Sequence, residues 1–270
     1  MHLQEIQEGD SMKSNWDFYL CEVENHPASM LVDIGAADSA PDERYPRMGY
    51  VSVAFAAADE NGFPLSHDHE SLAHLEDSLV ENLSGNGQCL YVGRCILDGR
   101  MDCIFYADKN FAWESKVQSA LEDFSLFAWE TGVHDEPGWD TYLEFLYPDP
   151  ANMLEIQNRR ALRRLEDLGD DLEAPRAIEH WLSFPSAGDM ENFWNEAAVM
   201  SFLRGIEAEG EEQGEGGFRI CLRRNDAPAD LDGVSLDLLA LASEYGGSYD
   251  GWSCAAPEPV EEGLGETEGN

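Results

Sequence analysis

Hydrophobic and polar positions between residues 152 and 256 alternate between strand spacing and helix spacing. Apolar residues at every second position predict a strand, whereas apolar residues three or four positions apart predict an amphipathic helix. The first predicted elements are an arginine-rich helix, a strand with Ile178, His180, Leu182 and Phe184 on one face, and a helix buried through Met190, Phe193, Ala197 and Met200. Two short strands follow, over Gly205–Glu209 and Phe218–Arg223. The last elements are a helix buried through Val234, Leu238, Leu241, Ala242 and Tyr245, and a strand over Tyr249–Cys254. After the first helix the order is β-α-β-β-α-β, which predicts a ferredoxin-like antiparallel sheet with helices on one face.

The same order of elements is predicted for the N-terminal half from Gly49 onward. Two further strands, over Trp16–Val23 and Met30–Ile34, precede it. The predicted elements are a strand over Gly49–Ala57, a helix buried through Leu72, Leu75, Leu79 and Leu83, a hairpin of Gln88–Leu97 and Arg100–Tyr106, a helix over Phe111–Trp129 buried through Trp113, Val117, Ala120, Leu121, Phe124 and Phe127, and a strand over Thr141–Tyr147. The predicted fold class is therefore α+β, with two ferredoxin-like α/β sandwich domains that contain antiparallel sheets.

The hairpin of the N-terminal half has a turn that sets its register. Asp98-Gly99 is typical of a two-residue type I′ turn, which places Leu97 opposite Arg100 and Cys95 opposite Asp102. Cys95 and Cys103 then point to opposite faces and cannot form a disulfide. The residues predicted to share the core face are Leu90, Val92, Ile96, Met101, Cys103 and Phe105.

Composition shifts along the chain predict four segments. Residues 1–14 are a flexible leader, residues 15–148 an N-terminal α+β domain, residues 152–256 a ferredoxin-like domain, and residues 257–270 a disordered acidic tail. Pro148-Asp149-Pro150 is the predicted linker, because proline holds its predecessor in an extended conformation.

Charge dominates the composition. The chain has 55 acidic and 16 basic residues, with a formal charge of -39. Up to Ala151 there are 29 acidic and 7 basic residues, so the excess is not confined to the tail. Such a surface repels nucleic-acid phosphates and attracts basic proteins, while solubility alone is the simpler interpretation.

The lengths of the apolar runs and the spacing of the cysteines predict where in the cell the protein is located. The start of the chain, Met1 to Asp17, has no apolar run of signal-peptide length, and no stretch approaches the length of a membrane span. The six cysteines include no Cys-x-x-Cys pair and fit reduced core thiols. We expect a soluble, cytoplasmic protein.

Candidate catalytic and metal sites are weak in this sequence. His67, His69 and His74 form the single histidine cluster, but their spacing fits surface positions at a helix start better than one metal site. His180 alternates with apolar residues and is expected to be a hydrogen-bonded core histidine. We expect no catalytic residue, cofactor or metal. The arginines of the first helix (Arg159, Arg160, Arg163 and Arg164) are expected to pair with carboxylates of the chain rather than with an external anion.

Three stretches of the C-terminal half resemble one family. Glu166-Asp167-Leu168-Gly169-Asp170-Asp171, the strand Pro175–Trp181 and the closing Tyr249-Asp250-Gly251-Trp252 resemble the regulator of ribonuclease E activity, type B, over about residues 153–256. Residues 15–148 look like a domain of unknown function found fused before it, with Trp16-Asp17-Phe18-Tyr19 as its usual opening.

The resemblance implies an acidic regulator without a cofactor. Members of that family inhibit RNA cleavage by binding the basic, largely disordered scaffold half of ribonuclease E, in the bacterial cytoplasm. Two other functions stay open: a hydrolase-type enzyme with an acidic site between the two domains, and a structural partner in an oligomer.

The closing motif is the candidate partner-binding site, with Tyr249, Asp250, Gly251 and Trp252 as its residues. Glycine permits an unusual backbone conformation, aspartate accepts hydrogen bonds in turns, and the flanking rings cover a sheet edge or the core. The motif therefore either anchors the last strand or contacts a partner directly.

Overall fold

The computed structural model describes residues 14–197, 201–204, 208–209 and 217–255. The chain divides into two units after Asn152, and each has its own antiparallel sheet. The predicted leader, apart from Ser14, and the predicted tail at 257–270 lie outside the described residues. Met200 and the loop at 210–216 also lie outside them.

Six described strands and two α-helices form the N-terminal unit. They are β1 (Trp16–Val23), β2 (His26–Asp33), β3 (Arg47–Ala54), α1 (Ser66–Ser84), β4 (Cys89–Leu97), β5 (Arg100–Ala107), α2 (Trp113–Ala120) and β6 (Ala128–Asp135). The strands lie side by side in the order β1-β2-β4-β5-β3-β6, and each neighbouring pair is antiparallel. Strands β3 to β6 have the ferredoxin-like order, and β1 and β2 extend the sheet beyond β4.

Helices α1 and α2 cover one face of this sheet and enclose its main core. Trp113 of α2 is buried there, with its ring centroid 5.7 Å from that of Phe105, and its indole N–H donates to Thr131 Oγ1 at 2.8 Å. The predicted apolar stripe of α1 is buried in the same core through Leu72, Leu75, Leu79 and Leu83. The hydrophobic spacing of α1 is thus confirmed.

The register predicted for the β4–β5 hairpin is confirmed at its turn. Asp98 and Gly99 have φ of +48° and +78°, as a type I′ turn requires. Leu97 pairs with Arg100 and Cys95 with Asp102. All six cysteines, each within the described residues, are free.

The predicted core face is wrong at the start of β4. A β-bulge between Tyr91 and Gly93 shifts the register, so Cys89 and Tyr91 join the helix-side core in place of Leu90 and Val92. A bulge adds one residue to one strand and reverses the alternation beyond it. Alternation alone contains no signal for that extra residue.

Two element predictions in the second half of this unit are also wrong. Helix α2 ends at Ala120, not at Trp129, and β6 takes the place of the fourth strand predicted at Thr141–Tyr147. Phe124 and Phe127 still pack on the core, but from turns. Every residue of strand β6 is half-exposed or exposed, and its apolar residues do not alternate with polar ones.

Residues 141–146 form a short helical turn instead of a strand. Tyr142 and Leu146 are buried four positions apart, whereas Leu143 and Phe145 are more than a third exposed. Residues four positions apart lie on one side of a helix, so Tyr142 and Leu146 can be buried together. In a strand, the charged residue Glu144 would lie on the same face as these two residues.

The segment after β6 covers the second face of the N-terminal sheet. Trp139 stacks on Tyr106 with ring centroids 4.1 Å apart, and its indole N–H donates to the Tyr45 carbonyl at 3.0 Å. The Tyr142 hydroxyl donates to the Asp33 carbonyl at 2.7 Å. Buried aromatic residues with satisfied polar groups therefore form a second, smaller core.

The C-terminal unit follows the predicted order of elements, except that residues 205–207 of the strand predicted over Gly205–Glu209 lie outside the described residues. Its described elements are α3 (Pro150–Asp167), β7 (Arg176–Phe184), α4 (Ala187–Ala197), the short strands β8 (Leu203–Arg204) and β9 (Ala208–Glu209), β10 (Phe218–Asp226), α5 (Leu231–Glu244) and β11 (Ser248–Cys254). The sheet order is β11-β7-β10, with β8 and β9 both on the far edge of β10, and all pairs are antiparallel. This is again the ferredoxin-like order.

The predicted linker is partly helical. Pro150 is the first residue of α3, where the absence of an N–H has no cost, and Asp149 Oδ1 accepts from the Asn152 N–H at 2.8 Å. Elsewhere among the described residues, short helical turns lie at Ile34–Asp38, Thr141–Leu146 and Pro228–Asp230.

A substitution at Gly49 tests the packing of α2 on the sheet. A Cβ at this position would lie 2.5 Å from the Trp113 ring. We expect Gly49→Ala to lower the free energy of unfolding of the N-terminal unit by about 1–3 kcal/mol through overpacking. In α5, a Cβ at Gly233 meets nothing within 4 Å, so Gly233→Ala is the control and should stabilise its unit by about 0.4–1 kcal/mol. Urea unfolding measures both; an unchanged Gly49→Ala transition would contradict the packing.

Candidate functional site

The closing motif lies on β11, the edge strand that follows α5. Gly246, with φ of +67°, ends the helix, and the Gly247 N–H donates to the Ala242 carbonyl at 2.9 Å. In the pairing of β11 with β7, Tyr249 lies opposite Leu182 and Gly251 lies opposite Trp181. Asp250 is therefore the extra residue of a β-bulge.

The side chains of the motif lie on both faces of the sheet. Tyr249 packs against the core under the helices, whereas Asp250 contacts groups on the opposite face of the sheet. Gly251 has φ of +127°, a backbone conformation that a residue with a side chain rarely adopts. Glycine at 251 thus permits the bulge, and the bulge returns Trp252 to the face on which Tyr249 lies, since these two residues pair with His180 and Leu182.

Trp252 takes part in a buried hydrogen-bond network. Its indole N–H donates to Asn158 Oδ1 of α3 at 2.9 Å. The Asn158 amide nitrogen in turn donates to Asp232 Oδ1 and Ser235 Oγ of α5, both at 2.8 Å. Asn158 and Ser235 are fully buried. The network joins β11, α3 and α5, and Trp252 is the contribution of the motif to it.

A groove lies between α3 and β11, with a volume of about 370 Å³. Gly251, Trp252 and Cys254 line it from the strand. From α3 the lining residues include Leu154, Gln157, Ala161, Arg164 and Leu165. This α3–β11 groove presents a half-buried indole ring, apolar helix positions and one arginine at the edge of a sheet.

Tyr249 contacts the buried histidine that the sequence predicted for the core. The Tyr249 hydroxyl lies 2.7 Å from His180 Nδ1, and His180 is fully buried. Burial lowers the pKa of His180 to about 4, with Asp226 opposing and Arg224 reinforcing that shift. Burial also raises the pKa of Tyr249 above its usual value. Both groups are therefore neutral near pH 7, and they fit a structural pair.

Asp250 organises the open face of the sheet. Its Oδ2 accepts from Ser183 Oγ at 2.6 Å and from Arg219 Nε at 3.1 Å. The Arg219 guanidinium lies 4.9 Å from the centre of the Trp181 ring, within cation–π range. On the same face Arg223 pairs with Glu179. The two exposed arginines of β10 are thus each matched by a carboxylate.

The other candidate groups do not converge on a site. His69 Nε2 lies 2.9 Å from the Pro64 carbonyl, His67 Nε2 lies 3.4 Å from Asp68 Oδ2, and no group of three metal-ligating side chains exists among the described residues. Of the four arginines of α3, Arg164 lines the α3–β11 groove. Within the same residues, every helix is too short or too polar to cross a membrane.

Asn158 is the residue of this site that sequence reasoning missed. It lies at an apolar position of α3, four residues after Leu154 and three before Ala161, and all three line the groove. A polar residue inside an apolar helical stripe indicates a buried hydrogen bond. That signal was present, but its partner strand is 94 positions away in sequence.

Two variants of Trp252 separate the anchoring role of the motif from a partner contact. We expect Trp252→Ala to lower the free energy of unfolding by about 2–4 kcal/mol, since the ring is half-buried. Trp252→Phe keeps a ring but leaves Asn158 Oδ1 without its donor, and should lose about 1–3 kcal/mol. Trp129→Phe, at an exposed tryptophan of β6, is the control and should change stability by less than about 0.5 kcal/mol. Wild-type melting of Trp252→Ala would contradict the anchoring role.

Buried His180 should make the stability of the C-terminal unit depend on pH. Its folded pKa of about 4 lies below the ordinary value of 6.5, so the unfolded chain binds a proton first as the pH falls. The contribution is complete above pH 6.5 and is lost between pH 6.5 and 4, at about 1.4 kcal/mol per pH unit. Urea unfolding at pH 7 and pH 5 should show this loss. The double variant His180→Phe with Tyr249→Phe removes both partners and should show a smaller loss; equal losses would contradict the assignment.

Two family models match the chain, one in each unit. Residues 14–147 match a family of unknown function (DUF695), and residues 155–254 match the family described as regulator of ribonuclease activity B. The resemblances seen in both halves of the sequence are confirmed by these matches.

Other comparisons add little. No curated protein matches the chain. Among solved structures, an unknown protein from Galdieria sulphuraria is similar at 13% identity, over 76% of this chain and 96% of that chain, with a TM-score of 0.22. By the two family-model matches alone, the N-terminal unit is similar to the family of unknown function, and the C-terminal unit is similar to the regulator of ribonuclease activity B family.

Proposed function

We propose that this protein regulates a ribonuclease by binding a basic segment of it, with the C-terminal unit as the binding domain. The observation that carries this proposal is the match of residues 155–254 to the regulator family. Members of that family bind the basic scaffold half of ribonuclease E. The partner proposed here is that scaffold or a segment of the same chemistry, in the cytoplasm.

Charge supports a basic partner. The formal charge of the chain is -39. On the open sheet face of the C-terminal unit, Arg219 and Arg223 are paired with Asp250 and Glu179, so neither presents an uncompensated positive charge that would repel a basic partner. A surface of one sign speeds the encounter with an oppositely charged, disordered segment, and most of that gain is in the association rate.

The motif residues Tyr249, Asp250, Gly251 and Trp252 are our proposed contacts. Their polar groups make internal hydrogen bonds, whereas the Trp252 ring and the Gly251 backbone also line the α3–β11 groove. In this proposal the segment lies in the groove between α3 and β11, with its side chains against the indole, and does not pair with bulged β11 as an added strand. Anchoring and binding are compatible in this arrangement, because the network that holds Trp252 also shapes the groove.

Association with the purified ribonuclease E scaffold segment should be salt-sensitive. Between about 50 and 500 mM salt, we expect the association rate to fall roughly tenfold or more, while dissociation changes far less. Stopped-flow or surface-binding kinetics measure both rates. Equal association rates at the two salt concentrations would reject electrostatic recognition.

A pair of glutamine variants tests the location. Gln157, on the exposed surface of α3, lines the groove, and Gln118 occupies an exposed position of α2 in the other unit. Gln157→Lys places a positive charge at the proposed contact and should weaken scaffold binding by roughly fivefold or more. Gln118→Lys makes the same charge change elsewhere and should have little effect. Equal effects of the two variants would reject the groove as the contact.

An RNA cleavage assay tests the regulation itself. The protein should slow cleavage by full-length ribonuclease E but leave an enzyme without its scaffold half unaffected. The protein alone should not retain RNA on a filter, because its charge repels phosphates. Inhibition of both enzyme forms, or tight RNA retention, would contradict the proposal.

A further inference from the structure

Strand β1 of the N-terminal unit carries an exposed apolar stripe. Trp16, Phe18 and Leu20 are 38%, 44% and 61% exposed, whereas Tyr19 between them is buried. Alternation places the three exposed residues on one face of the strand. Trp16 stacks on Tyr91, a member of the core under α1 and α2, so this face is the helix side of the sheet.

A groove on this side connects the stripe to helix α1. The core under α1 and α2 includes no side chain of β1 or β2 among the described residues, so the sheet extends beyond its helical cover. The resulting β1–α1 groove has a volume of about 500 Å³. Its apolar lining includes Leu20, Phe63, Leu72, Ala73, Ile96 and Met101.

Exposed carboxylates of α1 and β1, here called the rim, neighbour lining residues of the β1–α1 groove along these two elements. Glu70 and Asp77 are exposed and lie within one helical turn on either side of Ala73, and exposed Glu22 follows Leu20 on the same face of β1. Strands β1 and β2 and helix α1 contain no lysine or arginine. Arg94, which lines the groove, is paired with Glu76 at 2.7 Å.

We propose that the β1–α1 groove binds a short protein segment in which a bulky apolar side chain is flanked by lysines or arginines. The apolar cavity accepts the central side chain, and the carboxylates of the rim face the flanking cations. The proposal goes beyond ribonuclease regulation, since it assigns an interaction surface to the unit of unknown function. It does not depend on the scaffold contact of the other unit.

Charge argues for a basic segment over a second copy of the chain. Two copies would bring the same acidic rims together, at a formal charge of -39 each. A basic segment meets the opposite sign on both sides of the cavity.

Binding of defined peptides to the full-length chain tests the proposal. The probe is a display library of short peptides with a central Leu, Phe or Trp among lysines and arginines. Selected peptides are synthesised with a fluorophore and titrated by anisotropy. Replacing the central residue by serine, or the cations by glutamate, should abolish binding. Failure to recover any binding peptide would overturn the proposal.

Variants on the groove and matched controls locate the binding. Leu20→Ser and Ala73→Gln, both at exposed positions, should each weaken the selected peptide at least tenfold. Leu126→Ser changes another exposed leucine outside the groove and should leave binding unchanged. Glu70→Gln with Asp77→Asn should weaken binding and its salt dependence, unlike Glu114→Gln with Glu122→Gln on other exposed positions. Equal losses in groove and control variants would overturn the proposal.

Two other occupants are separated by their own measurements. A dimer in sedimentation that Leu20→Ser dissolves would assign the face to a second copy. Peptide binding that appears only after removal of residues 1–13 would assign it to the chain's own N-terminus. Either result would overturn the proposal. Scaffold binding by the C-terminal unit should persist in the Leu20 and Ala73 variants, so failure of one proposal leaves the other standing.

Discussion

The C-terminal unit depends on the hydrogen bonding of one buried amide. Asn158 is fully buried, and each unsatisfied polar group at such a position destabilises a fold by about 1–3 kcal/mol. Its partners belong to two other elements, β11 and α5. They can be satisfied together only if α3 lies at one position along β11 and the bulge at Asp250 turns Trp252 toward it. The hydrogen bonds of Asn158 thus set the width of the α3–β11 groove, whereas the burial of apolar side chains alone would allow more than one width.

Local spacing predicted most elements, and it failed where a neighbour in space decides the outcome. The type I′ turn at Asp98-Gly99 fixed the hairpin register because two residues and their φ angles determine it. The bulge beside Gly93 leaves no trace in alternation, and a Cβ at Gly93 would clash with the Leu31 carbonyl oxygen of β2, a contact that the local pattern does not contain. Likewise β6, exposed on much of its surface, pairs with β3 through its backbone, so side-chain pattern could not mark it.

For the candidate site, sequence indicated the motif but not its geometry. Glycine at 251 suggested an unusual backbone, and the structure shows a bulge that sends Asp250 and Trp252 to opposite faces. The role of Asn158 required knowledge of a contact across 94 positions. His180 was identified as a core histidine because alternation places it among apolar residues, although its partner Tyr249 belongs to the motif itself.

The two units share an order of strands but end their sheets differently, and this has a colloidal consequence. Edge strand β11 is interrupted by its bulge, which hinders the addition of a strand from another molecule. Edge strand β1 pairs with β2 without interruption over eight residues and carries exposed aromatic side chains. Among the described residues it lacks the lysines and prolines that usually protect an edge. Electrostatic repulsion between highly charged copies therefore prevents edge-to-edge association instead. This repulsion disappears as the pH approaches the isoelectric point of about 4.1.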